Sequence, residues 1–361
     1  MRGSIRFGGF LVFIGSLFLF FQYAHWAPFT QEQKAELIIA GGVILLGCFA
    51  LALLSRWFIF NEVIHLVALV VGAGLVSLVL HSTEPDKWED LSFFEFAGPF
   101  HQEQELVDHG QFALVAGIPS VEVSLPQSRI TVTTADRPDY EIKVTTKAHA
   151  WSEARAKELA AEWQSKYQLE KTANGLSLKA TEGVRRVWHS VSIYVDIVLP
   201  QSASYKVNLT SSNGRLTVEK MNATDIVLST SNGAIELNRV QAQTIQVTSS
   251  NGKLEGNFSV GSSLVAKTRN GAVDFEIMPT ASGRYDLRSS NGRINVELKR
   301  RDIGYAVSAS TNNGRIRVDL PDFVTEIKEK KQMTGRTANF GSSEFQVELS
   351  AHTSNGSLTI K

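Results

Sequence analysis

The chain has 361 residues, 36 of them basic and 36 acidic, and 43% are hydrophobic. That length suits a membrane region plus one long domain. Beyond residue 100 there are 31 basic and 28 acidic residues, so the chain lacks the positive bias of a nucleic-acid binder. Its single cysteine, Cys48, excludes an intrachain disulfide and a thiolate metal cluster.

Residues 1–82 read as a membrane region. Three apolar runs, about 7–23, 37–54 and 63–80, contain no Asp, Glu, Lys or Arg and are each near the length that crosses a bilayer. Thr30 and Gln33 form a capping-box pattern ahead of the second run. Arg2 and Arg6 precede the first run and Arg56 lies between the second and third, so the positive-inside rule puts the N-terminus in the cytoplasm and residues after about 81 outside it. The expected location is the cytoplasmic (inner) membrane, multi-pass, with the lipid bilayer as a partner. A cleaved signal peptide is the alternative reading of the first run, but no Ala-x-Ala site follows it. Ala68, Gly72, Ala73 and Ser77 give small-xxx-small spacing for helix packing, and His65 with Glu62 marks an interfacial position.

Residues 83–109 read as a linker and 110–361 as a β domain. Ser128-Arg129-Ile130, Asn174-Gly175 and the alternating run Val191, Ile193, Val195, Ile197, Leu199 suggest early, irregular coils. Between them, Ala156, Leu159, Ala160, Trp163 and Tyr167 recur at helical spacing behind Ser152, which predicts a short helix over about 152–167 that caps the open end of a stack.

The Asn-Gly dipeptide then recurs at Asn213-Gly214, Asn232-Gly233, Asn251-Gly252, Asn270-Gly271, Asn291-Gly292, Asn313-Gly314 and Asn355-Gly356. The first three intervals are 19 residues, followed by 21, 22 and 42, and a fixed period of this size signals a repeat architecture. Gly and Asn tolerate positive φ, so each dipeptide predicts a left-handed tight turn. After the turns, pairs such as Leu216/Val218, Ile235/Leu237, Val273/Phe275 and Ile294/Val296 keep the two-residue period of half-buried strands. Thr334-Gly335-Arg336 falls halfway through the long interval and reads as a worn copy of the turn.

Two architectures fit. In an all-β solenoid, single-stranded and β-helix-like with about 19–22 residues per coil, like strands stack in parallel and the Asn side chains ladder. In an antiparallel meander each Asn-Gly is a hairpin turn. The solenoid is preferred because a coil encloses its own core. Lys361 closely follows the last turn, so the C-terminal end is expected to pair with another copy, giving a homo-oligomer, or to be covered by the 322–345 segment.

Arg215, Lys253, Arg293 and Arg315 follow their Asn-Gly turns, and the weaker copies carry Arg129 and Arg336. In a solenoid these basic residues would line one edge, a candidate binding site for an anionic envelope polymer, with a solvated edge as the plainer alternative. No catalytic motif, phosphate loop, metal-ligand spacing or calcium repeat is present, so no catalytic or metal residues and no cofactors are assigned. His189 and Ser190 alternate along a strand and face opposite ways.

Ser212-Asn213-Gly214-Arg215-Leu216, Ser250-Asn251-Gly252-Lys253-Leu254 and Ser290-Asn291-Gly292-Arg293-Ile294 resemble the bacterial putative-adhesin family of β-strand-repeat proteins. The likeness covers about 110–361. It implies a β-solenoid, often attached to membrane spans, with no assigned catalytic residues. The expected role is a membrane-anchored, extracytoplasmic, non-enzymatic interaction module of a bacterial cell envelope, adhesin-like or scaffolding. Its partners would be envelope polymers or another envelope protein, and not nucleic acid. The alternatives are an envelope-stress sensor that relays to a membrane partner, a polysaccharide-acting enzyme, and a cytoplasmic scaffold with the topology reversed.

Overall fold

The chain divides into two units at Glu95/Phe96. The computed structural model describes residues 100–111, 118–150, 153–172, 174–181 and 191–361, all in the second unit. The three apolar runs, Ser152, His189 and Ser190 lie outside the described residues. Among the described residues no helix is long and apolar enough to cross a membrane.

In chain order the first elements are β1 (Phe100–Gly110), β2 (Ser120–Leu125), β3 (Ser128–Ala135), β4 (Tyr140–Ala150), helix α1 (Glu153–Ser165), β5 (Tyr167–Thr172), β6 (Gly175–Ala180) and β7 (Val191–Pro200). The regular coils follow as β8 (Tyr205–Ser211), β9 (Leu216–Glu219), β10 (Asn222–Thr230), β11 (Ile235–Ser249), β12 (Leu254–Thr268), β13 (Val273–Pro279), β14 (Gly283–Ser289) and β15 (Ile294–Leu298). The chain ends with β16 (Gly304–Thr311), β17 (Ile316–Val318), β18 (Phe323–Lys328), β19 (Gln332–Thr337), β20 (Gln346–Thr353) and β21 (Leu358–Ile360).

Parallel pairing decides between the two architectures. Ile226 pairs with Ile245, which pairs with Leu264, and Ile235 pairs with Leu254, which pairs with Val273, so equivalent positions of successive repeats lie side by side. A meander would instead have paired Leu228 with Leu237. Each coil therefore contributes one strand before its Asn-Gly corner to sheet A and one after it to sheet B. The long strands β11 and β12 take part in both sheets.

The period-two alternation explains the core. Ile226, Leu228, Ile245, Val247, Leu264 and Ala266 point inward from sheet A, and Leu216, Val218, Ile235, Leu237, Val273 and Phe275 from sheet B, all at most 3% exposed. Phe258 and Phe275 meet edge to face at 5.1 Å between centroids where the coil lacks a larger inward residue at Gly256.

Stacking order departs from chain order at both ends. The first coil, β2–β3, sits between β6–β7 and β8–β9. The last coil, β20–β21, sits between β14–β15 and β16–β17. Lys361 is thus not at the end of the stack as expected, and the outermost coil is 304–318.

Antiparallel strands close both ends. β4 pairs with β7 and β1 with β4 on sheet B, β5 pairs with β6 on sheet A, and α1 buries Ala156, Leu159, Ala160 and Trp163 beside them. β1 occupies residues at the end of the expected 83–109 linker, held by Lys143–Glu105 at 2.7 Å and Lys171–Asp108 at 2.6 Å. At the other end the β18–β19 hairpin pairs with β16. Thr334-Gly335-Arg336 is therefore the middle of a strand and not a worn corner, because Gly335 lies opposite Val307 and Thr325. A bulge at Glu326 and the run Lys328, Lys330, Lys331 blunt the free edge of β18, as edge strands generally require.

Candidate interaction surfaces

The corner is the unit from which every surface is built. At each of the seven corners a Ser or Thr three residues before the Gly is buried: Ser211, Thr230, Ser249, Thr268, Ser289, Thr311 and Thr353. Its hydroxyl accepts from the Gly N–H of its own coil at 2.8–3.2 Å. The same hydroxyl donates to a backbone carbonyl of the neighbouring coil at 2.9–3.2 Å, a Gly carbonyl in six cases and that of Ser128 in the seventh. Two buried backbone groups per rung are satisfied this way, and each would otherwise cost about 1–3 kcal/mol.

The glycines are not there for a left-handed turn. None of these seven has φ in the left-handed region, which among the described non-glycine residues is adopted by Lys220, Arg239 and Asp322. A Cβ at each corner Gly would instead lie 1.5–2.0 Å from a carbonyl oxygen of the adjacent coil. Close stacking, and not φ, is what demands glycine. The Asn side chains project outward and form a continuous ladder in stack order, Asn213, Asn232, Asn251, Asn270, Asn291, Asn355, Asn313, with each Nδ2 donating to the preceding Oδ1 at 2.5–2.7 Å.

The sequence-derived basic residues fall on the outer face of sheet B. Register places Arg215, Ala234, Lys253, Ala272, Arg293, Ser357 and Arg315 in one column, so the four cations sit two rungs apart, about 10 Å. Arg336 is not among them. It lies on β19, paired with Glu326 at 3.1 Å and placed over Phe340. Arg129 stacks over the Tyr194 ring at 5.4 Å.

A parallel acidic column neutralises much of this charge. Arg215 reaches Glu236 at 3.6 Å, Lys253 pairs with Glu255 and lies 3.2 Å from Asp274, and Arg293 meets Asp274 at 3.1 Å. Hydrogen bonds to Glu255, and then to Asp274, hold the Lys253 ammonium above its ordinary pKa, and Asp274 does the same for Arg293. The sequence reading missed this column. Its signal is an acid four residues after Asn in three successive repeats, Glu236, Glu255 and Asp274.

The outer face of sheet A differs. Across β8, β10 and β11 it presents Asn208, Thr210, Val227, Ser229, Gln246 and Thr248 in register, a patch without charge. Charged groups surround it: Lys206–Asp225 further along β8 and β10, Glu122 of β2 beside Asn208, and Lys267 of β12 beside Thr248.

Reactive constellations are incomplete. Ser310 Oγ and His352 Nδ1 lie 2.8 Å apart on neighbouring strands of sheet A, a nucleophile-and-base contact the sequence did not reveal. Among the described residues no carboxylate is bonded to the imidazole, and both neighbours of β16 are ladder partners, so no pair of free backbone N–H groups is aimed at a developing oxyanion. No group of three or more His, Cys, Asp or Glu side chains among the described residues is arranged to hold a metal ion.

Buried tyrosines brace the opposite corners. The Tyr205 hydroxyl donates to the Pro200 carbonyl at 2.7 Å, Tyr305 to Arg300 at 2.7 Å and Tyr285 to Val260 at 3.2 Å. Burial pushes the Tyr205 phenol up to about 12, and raises Tyr285 and Tyr305 as well.

Comparison with known proteins follows the same division between fold and role. No curated protein sequence matches the chain. Among solved structures it is similar to a putative cell adhesion protein from Clostridium sporogenes at 12% identity, covering 72% of this chain and 99% of that one with a TM-score of 0.35. A putative adhesin from Bacteroides fragilis is similar at 8% identity, with 72% and 97% coverage and a TM-score of 0.33. A putative lipid binding protein from Parabacteroides distasonis is similar at 9% identity, with 73% and 98% coverage and a TM-score of 0.27. The Toastrack DUF4097 family model matches residues 118–361, which takes in both out-of-order coils and all seven corners, and the chain belongs to that family.

Proposed function

We propose that the chain presents a rigid, non-enzymatic interaction module on the extracytoplasmic side of a bacterial cytoplasmic membrane, anchored by the apolar runs of residues 1–82, and that the contact face is the outer face of sheet A. The observation that supports this is the chemical asymmetry of the two broad faces. Sheet B spends its charge internally, in ion pairs running along the stack. Sheet A offers an uncharged patch of amide, hydroxyl and methyl groups with a charged surround, the composition of an interface centre, where charge is depleted. The corner ladder keeps that patch in fixed register, so a partner binds without ordering it first.

Photocrosslinking in cells separates the faces. A photoreactive residue at Gln246 on sheet A is expected to capture a specific envelope component, and one at Glu255 on sheet B is not. Capture from Glu255 alone overturns the choice of face. Membrane placement has its own test: a C-terminal reporter active only outside the cytoplasm is expected to report activity, and its silence would put the domain on the other side. Replacing residues 1–82 with an unrelated anchor is expected to preserve capture from Gln246, as a scaffold requires.

A further inference from the structure

Three residues before each corner Asn stands an outward-facing residue of sheet A. In stack order these read Thr210, Ser229, Thr248, Lys267, Arg288, His352 and Ser310, each in register with the next. Hydroxyls occupy both ends of this row, and the basic residues occupy three consecutive rungs. His352 reaches Arg288 only through the out-of-order coil, since chain order would have set Ser310 there. The position just before the corner Asn is Ser in five coils and Asn312 in a sixth, but Arg269 in the coil that carries Lys267.

Such a cluster costs stability. Adjacent rungs are about 4.8 Å apart, and like charges side by side on a sheet repel. Sheet B avoids this by setting Ala234, Ala272 and Ser357 between its cations and a carboxylate beside three of them. On sheet A the row keeps a single ion pair, Arg288 Nε to Asp286 at 2.9 Å. Lys267 and Arg269 have no ion-pair partner among the described residues.

We infer that Lys267, Arg269, Arg288 and His352 form a binding site for a phosphate group carried by the partner of sheet A. This rests on sheet A being the contact face, and it adds the chemistry of what that face holds. Arg288 bonds Asp286 through Nε and keeps its two Nη groups for a ligand. The Ser310 hydroxyl, 2.8 Å from His352 Nδ1, donates to it and so puts the imidazole proton on Nε2, across the ring. Ser310 and His352 thus act as a positioned donor and not as a nucleophile with its base. Donors arrive from three neighbouring rungs, which suits a phosphate monoester with three strong acceptor oxygens better than a carboxylate with two. The uncharged patch begins at Thr248, directly beside Lys267, so one partner can cover both.

The test is binding of the full chain to phosphocellulose, with carboxymethyl cellulose of equal charge density as the comparison and the salt concentration varied. The chain is expected to bind the phosphate matrix more tightly. Lys267→Thr and Arg269→Ser install residues that other coils carry at these positions, so the stack and the melting temperature should be kept. Each is expected to weaken binding to phosphocellulose roughly tenfold, as loss of one charged hydrogen bond implies, and to reduce the slope of log K against log salt by about one. His352→Ser is expected to reduce the preference for phosphate over carboxylate. Arg293→Ala on sheet B is expected to change little. Unchanged binding in Lys267→Thr, an equal loss in Arg293→Ala, or equal affinity for the two matrices would overturn the inference. Capture from Gln246 together with unchanged phosphocellulose binding in Lys267→Thr would keep the contact face and discard the phosphate site.

Discussion

Substituting a corner glycine tests why it is there. In Gly252→Ala the new Cβ would lie 1.6 Å from the Gly233 carbonyl oxygen, and real Cβ atoms do not approach within 3.0 Å, so the two coils must separate locally by about 1.4 Å. Strand spacing is about 4.8 Å, and the bonds crossing that gap start at 2.9 Å for Asn251 N–H to the Ser231 carbonyl and 3.1 Å for the Ser249 hydroxyl to the Gly233 carbonyl. Both would pass beyond hydrogen-bond range. Their loss, with a buried carbonyl left unsatisfied, costs about 4–6 kcal/mol, in the range of the most disruptive single substitutions. A requirement for left-handed φ would cost only about 1–2 kcal/mol, and Asn would be tolerated better than Ala. Equilibrium unfolding of Gly252→Ala and Gly252→Asn distinguishes the two causes. The close-contact account predicts a fall in melting temperature of about 10–20 °C for Ala and at least as much for Asn. A cost under about 1.5 kcal/mol for Ala, or a milder effect of Asn, would refute it.

Alkaline pH should loosen the stack through its tyrosines. The folded pKa of Tyr205 is raised to about 12, so the folded state prefers the protonated phenol; its contribution is complete below the ordinary value of about 10 and is lost as pH rises through 12. Urea midpoints are expected to fall between pH 10 and 12, less steeply in Tyr205→Phe, and an unchanged slope in that variant would contradict the assignment. Deleting residues 346–361 removes the rung between β14 and β16, so amide exchange protection should vanish across β16–β19 while β10–β12 keep theirs; a protected β16 in the deletion would contradict the stacking order. Asp274→Asn frees Arg293 and removes one of the two carboxylate partners of Lys253, which keeps Glu255, and should strengthen salt-sensitive retention on an anionic resin while changing stability by less than about 1 kcal/mol. Unchanged retention would mean that the column was never neutralised.

The repeat was legible because each coil writes the same chemistry into its corner. Seven Asn-Gly pairs at near-constant spacing, with alternating apolar residues on both sides, carry the coil length, the strands and the inward faces. Stacking order was not legible for the same reason: the corners at Asn291, Asn313 and Asn355 share their buried hydroxyl, Asn and Gly and give no local clue that Asn355 lies between the other two. The role of glycine was misread because Asn-Gly serves a tight turn as well as a close approach, and only the carbonyl of the adjacent coil, which for Gly214 belongs to Ser128 far back in the sequence, tells them apart. Thr334-Gly335-Arg336 copied the corner's residues without the buried hydroxyl-to-carbonyl bridge that makes a corner. The neutralised column was within reach of the sequence, since aligning the repeats on Asn puts Glu236, Glu255 and Asp274 in register beside the cations.

Disulfide crosslinking gives the most direct test of the stack. Ser350 of β20 pairs with Asp286 of β14 on one side and with Ser308 of β16 on the other, all facing outward from sheet A. In a Cys48→Ala background, Ser350→Cys is expected to crosslink with Ser308→Cys and, in a separate variant, with Asp286→Cys. Asp286→Cys with Ser308→Cys should fail, because two rungs separate them by about 10 Å, beyond the reach of a disulfide. Efficient crosslinking of that last pair, with none to position 350, would show that the coils stack in chain order and contradict the account.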